Sequence, residues 1–131
     1  MKSLVTYIRE YKDDKILVWI DDIRDPQDKK WQDWIKANCP LKDPDDIHWV
    51  KSYKEFCDWV DKYGRPTCIS FDHDLGMKGD DEKTGYDCAK YMVDWCMDNR
   101  VKFPLYSIQS DNGPGRKNIQ SYIENFKKHF K

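Results

Sequence analysis

Two clusters of carboxylates stand at, or just past, the ends of apolar runs: Asp21-Asp22 after Ile16-Leu17-Val18-Trp19-Ile20, and Asp72 and Asp74 around His73 after Cys68-Ile69-Ser70-Phe71. In an open parallel sheet the carboxyl ends of neighbouring strands face one crevice, so these acids are expected to converge there. Two carboxylates about 4 Å apart repel by roughly 1 kcal/mol in water and roughly 4 kcal/mol at a protein-like effective dielectric, and a third raises the cost. A divalent cation is the simplest counter-charge, and a small set of hard oxygen ligands suits magnesium or manganese rather than zinc. The expected ligand set is Asp21, Asp22, Asp72 and Asp74. For a lone Asp, capping the turn into the next helix would be the commoner role; recurrence of the pattern after a second strand favours a shared site.

His73 is the histidine beside the acids, and a hydrogen-bonded spacer, a metal ligand and a general acid or base are all open to it. Side chains alternate along a strand, so a catalytic His73 requires the strand to end before it. Arg24, two residues beyond Asp22, is a candidate bidentate partner for a phosphate, with a surface ion pair as the competing role. The segment from Ser107 to Asn118 (SIQSDNGPGRKN) is expected to cradle a phosphate: Ser110 and Asn112 offer hydrogen bonds, Gly115 permits close backbone approach, and Asn118 opens a helix whose N-terminus favours an anion.

These groups need a scaffold, and the chain reads as strand then helix four times over. Strands are expected over 16–20, 47–50, 67–71 and 103–108, and helices over 29–38, 53–63, 86–99 and 118–130, with a loop over 76–85. Ser52 with Glu55 three residues on forms a capping box for the second helix. Such alternation implies an α/β domain with a mostly parallel sheet, right-handed crossovers and helices on both faces. In strand order 2-1-3-4, strands one and three are neighbours at the switch point, which places the two acidic clusters side by side. Leu4 to Ile8 is a possible additional edge strand. At 131 residues one domain is expected.

Lys+Arg at 23 nearly cancel Asp+Glu at 24, so no global field recruits nucleic acid or a membrane, and Lys127, Lys128 and Lys131 are too few for a nucleic-acid patch. Cys39, Cys57, Cys68, Cys88 and Cys96 are odd in number and lack CxxC pairing, which argues for buried free thiols in a reducing compartment. No signal-like or membrane-length apolar stretch is present. A soluble, cytoplasmic protein is expected. The tryptophans read as core packing, with enough aromatic surplus to cover a homodimer face.

Asp-Asp closing a first strand and Asp closing a third resemble the phosphoacceptor receiver domains of two-component signalling, for which Ser110 matches the Ser or Thr after the fourth strand. No segment matches the receiver lysine after a fifth strand, which disfavours phosphotransfer. More specifically, WIDDIRDP (19–26), SFDHDLG (70–76), TGYD (84–87) and SDNGPGRKNI (110–119) are similar to motifs of the cyclic-phosphate processing receiver-like family. That resemblance implies a receiver-like (flavodoxin-like) three-layer sandwich and a metal-dependent phosphoesterase acting on cyclic phosphates, either 2′,3′-cyclic RNA ends or cyclic nucleotides, in RNA repair or phage-host conflict. Asp22, Asp72 and His73 are then the expected catalytic residues. The alternative is a non-catalytic module that sequesters a phosphorylated ligand.

Overall fold

A computed structural model describes residues 15–75 and 83–130. The possible strand over Leu4 to Ile8 and most of the loop expected over 76–85 lie outside them. Four strands, β1 (Ile16–Ile20), β2 (Asp46–Val50), β3 (Cys68–Phe71) and β4 (Leu105–Ile108), form one parallel sheet in the order β2-β1-β3-β4. They alternate with helices α1 (Lys29–Asn38), α2 (Tyr53–Tyr63), α3 (Gly85–Asn99) and α4 (Gly113–His129). The order 2-1-3-4 is the one expected of a doubly wound, receiver-like sheet.

β1 is central and buried along its whole length, which is why its sequence is an unbroken apolar run. Leu17 and Trp19 pack with Ile35 and Cys39 at α1, while Ile16, Val18 and Ile20 pack against Phe56 and Val60 of α2, Met92 and Cys96 of α3, and Ile119 and Ile123 of α4. Among the described residues, one helix covers one face and three cover the other. Burying each large side chain such as Phe56 or Phe71 contributes roughly 1.5–3 kcal/mol, a reserve against which the sheet can hold repelling charges at its edge. Ser52 accepts from the Glu55 amide (3.1 Å) while the Glu55 carboxylate accepts from the Lys51 amide (3.0 Å), so the α2 cap has the expected partners displaced by one residue on the return bond.

Two boundaries differ from the sequence expectation by more than one residue. β4 starts at Leu105 rather than 103, consistent with Pro104 having no N–H to give to a ladder. α4 starts at Gly113 rather than 118: Asn112 caps it, Pro114 occupies its first turn, and the Gly-Pro-Gly that reads as a loop is helical.

Candidate functional site

The end of β1 is a tight acidic turn. Asp21 is fully buried; its Oδ1 accepts from the amides of Ile23 (3.1 Å) and Arg24 (2.9 Å), and its Oδ2 accepts from the Arg24 guanidinium (3.2 Å). Two indoles fix the same turn from outside, with Trp19 Nε1 donating to the Arg24 carbonyl (2.8 Å) and Trp49 Nε1 to the Asp21 carbonyl (2.7 Å). Asp21 therefore does cap a turn, while Asp22, half-buried beside it, has no hydrogen bond to its carboxylate among the described residues.

β3 ends at Phe71, which meets the condition for His73 to leave the strand alternation. Asp72 is buried, and one carboxylate oxygen of each of Asp21, Asp22 and Asp72 lies within 4.8 Å of the others. Burial and then the charge of Asp21 push the Asp72 carboxyl up to about 6, against the opposing pull of Arg24 (3.4 Å) and the His73 amide (2.9 Å). Burial works against the Arg24 charge, but its bond to Asp21 and the fields of Asp21, Asp72 and Asp111 raise its pKa overall. Arg24 offsets one of the three negative charges. Two remain, the charge of one divalent cation.

Asp74 does not join that cluster. Its Oδ1 lies 3.0 Å from His73 Nδ1, the hydrogen bond that chiefly lowers the Asp74 pKa, and the Asn112 amide approaches the same carboxylate at 3.4 Å and the same ring nitrogen at 3.4 Å. Of the four carboxylates in the expected ligand set, three lie within reach of one another, while Asp74 turns outward to the imidazole. Two glycines let helices close on this segment. A Cβ at Gly85 would lie 1.6 Å from the Asp72 carbonyl oxygen, and the Gly85 amide donates to the His73 carbonyl (2.8 Å); a Cβ at Gly115 would lie 2.5 Å from the His73 ring.

The phosphate cradle expected over Ser110 to Asn118 is built differently. Ser110 is buried and accepts from the Asn112 backbone N–H (3.1 Å), and Asn112 Oδ1 accepts from the Gly115 backbone N–H (2.9 Å), so both acceptor oxygens are engaged at the start of α4. Gly115 serves to seat His73. Asn118 falls in the second turn of α4, on a surface groove of about 420 Å³ shared with Tyr86, Ser121, Tyr122 and Asn125. Arg24 is the expected phosphate partner that lies at the acidic cluster: its outer nitrogen pairs with Asp111 (3.0 Å), whose side chain is 94% exposed. An exposed pair of this kind is worth about 0–1 kcal/mol, so an incoming phosphate can replace Asp111 at small cost.

Sequence reasoning missed Gln109. Buried at the end of β4, it donates from Nε2 to the Ile20 carbonyl (2.9 Å) and to Asp21 Oδ2 (3.3 Å), while its Oε1 accepts from the Ser70 hydroxyl (2.5 Å). Ser70 in turn accepts from Ser107 (2.9 Å), which lies 3.0 Å from the Cys39 sulfur. A polar residue in each of β3 and β4, at paired register positions, was the available signal.

The sequence model of the cyclic-phosphate processing receiver domain matches residues 16–125, all four strands and most of α4 included. The chain belongs to this family. Comparisons with curated proteins and with solved structures found no match. As a cyclic-phosphate processing receiver domain, the chain keeps its acidic turn, His73 and the capped start of α4 inside the matched region. Among the described residues no helix is long and apolar enough to cross a membrane.

Proposed function

We propose that the protein is a metal-dependent phosphoesterase that opens cyclic phosphates, with 2′,3′-cyclic RNA ends or cyclic nucleotides as substrates. The observation that carries this reading is the meeting of Asp21, Asp22 and Asp72 oxygens within 4.8 Å at the same strand ends as an imidazole paired with a separate carboxylate. An all-oxygen donor set with two uncompensated charges fits magnesium or manganese, held by Asp22 and Asp72 with Asp21 behind them. When bound, such an ion supplies Lewis-acid polarisation of a phosphoryl oxygen.

The chain's own residues supply the rest. Asp74 accepts from His73 Nδ1–H and so fixes the tautomer in which Nε2 is the proton-accepting atom. His73 Nε2 takes a proton from the attacking water and returns it to the ribose oxygen released as the ring P–O bond breaks. Arg24 holds a non-bridging phosphate oxygen in place of Asp111 and stabilises the charge that builds there. Soluble 2′,3′-cyclic and 3′,5′-cyclic nucleotides incubated with the protein and magnesium, with products separated by chromatography, test this. Ring-opened monophosphate from the wild type and none from Asp72→Asn is expected. Tight binding of the nucleotide with no product over long incubation would contradict catalysis and leave a sequestering module.

A further inference from the structure

Asp21 is the only fully buried acid among the described residues, and the side-chain donor behind it belongs to a chain of polar groups that runs across the α1 face of the sheet. An amide side chain presents either its oxygen or its NH₂ to a neighbour. At Gln109 that choice is set by two groups that can only accept, the Ile20 carbonyl and Asp21, and by Ser70 on the other side. Ser107 donates to the Ser70 oxygen, so the Ser70 proton is left for Gln109, and it requires the amide oxygen as acceptor. The NH₂ is thereby turned toward the Ile20 carbonyl and Asp21, two acceptors that an amide oxygen in the same place would repel.

Geometry supports a positioning task. Gln109 follows β4, its own amide bonds the Phe71 carbonyl at the end of β3 (2.9 Å), and its side chain reaches over β3 to the end of β1. It is thus one residue in contact with the ends of all three strands on which the acids and the capped loop depend. No buried side-chain nitrogen or oxygen lacks a partner among the described residues, so the chain is fully satisfied, and loss of one member strands its neighbour.

We infer that Gln109, oriented by the Ser70–Ser107 pair, is a positioning residue that fixes the Asp21 carboxylate within the three-acid cluster. The inference rests on the reading of that cluster as a divalent cation site, and the test separates the two. Manganese binding is measured by calorimetry on the wild type, Gln109→Leu, Ser70→Ala and Cys39→Ser, and the Gln109 side-chain NH₂ is followed by ¹⁵N NMR in metal-free protein. Gln109→Leu is expected to weaken manganese binding roughly 10–100-fold, as loss of an outer-shell partner does elsewhere, and Ser70→Ala by a smaller factor. Cys39→Ser keeps a donor to Ser107 and leaves binding unchanged, and Ser70→Thr, which retains the hydroxyl, recovers the wild-type affinity.

In metal-free protein the Gln109 NH₂ protons are expected to be protected from exchange in the wild type and to lose that protection in Ser70→Ala. If the wild type binds no manganese but the NMR pattern holds, the cation reading fails and the positioning role stands. If the NH₂ protons exchange freely in the wild type, or if Ser70→Ala leaves their protection unchanged, the inference is overturned whatever the metal does. Unchanged manganese affinity in a folded Gln109→Leu overturns it as well.

Discussion

Asp72 and Asp74 leave the same strand end two residues apart, and their environments push them to opposite uses. Asp72 is buried against Asp21, and its carboxyl is held up to about 6; Asp74 is exposed, bonded to an imidazole, and its pKa is lowered. The first shares its one counter-charge, Arg24, with Asp21. The second already has its partner, and its effect is to orient a ring. In the proposed reading, the cluster at this sheet edge divides into a cation-holding half, with Asp21 and Asp22, and a proton-handling half, with His73 and Asn112.

Removing a member of the first half should have the largest effect. Asp72→Asn is expected to lower kcat for cyclic-phosphate opening by roughly 10³-fold or more and to abolish the thermal shift produced by manganese, with an unchanged circular dichroism spectrum. In the second half, Asp74→Asn should lower kcat roughly 10²-fold with little change in KM and with manganese affinity intact. Loss of manganese binding in Asp74→Asn would restore the four-ligand set and erase the division.

Stability sharpens the same contrast. Because the folded Asp72 carboxyl titrates near 6 and its ordinary value is 3.8, the folded protein holds a proton between those values that the unfolded chain gives up. Stability from this group is therefore greatest below the ordinary value and is lost as pH rises through 6. With chelator present at pH 8, Asp72→Asn should be more stable than the wild type by on the order of 1–3 kcal/mol in denaturant melts, and the gap should close by about pH 4. Asp74 has the opposite sign: its lowered pKa predicts a contribution present at neutral pH and lost on acidification, small because the group is exposed. Gly115→Ala should be smallest in its effect on the cation, leaving manganese affinity unchanged while lowering stability by about 1–3 kcal/mol, because the new methyl must displace the His73 ring.

The scaffold was legible because its signals are local and periodic. The apolar run of β1, the Trp and Ile spacing of α1 and the Ser52 cap of α2 each fix an element without reference to the rest. Convergence of Asp22 and Asp72 followed from topology alone, since β1 and β3 are sheet neighbours. Direction of a side chain was not legible. Asp74 and Asp72 are indistinguishable in type and nearly in position, and what separates them is long-range: Arg24 from the end of β1 faces Asp72, while Asp74 pairs with a His73 ring that α4 packs against. Gly113 to Lys117 was misread because Gly and Pro mark turns in general, whereas Pro at a first helical turn behind an Asn cap is favourable. Gln109 was hidden because its role depends on three strand ends at once.

On the proposed reading, Asp21, Asp22 and Asp72 share one divalent cation. Anomalous diffraction from a manganese-soaked crystal tests it most directly. A single strong peak about 2.1 Å from carboxylate oxygens of Asp22 and Asp72 is predicted, with none at Asp74. A peak at the His73–Asp74 pair, or no peak at the three acids at saturating manganese, would contradict it.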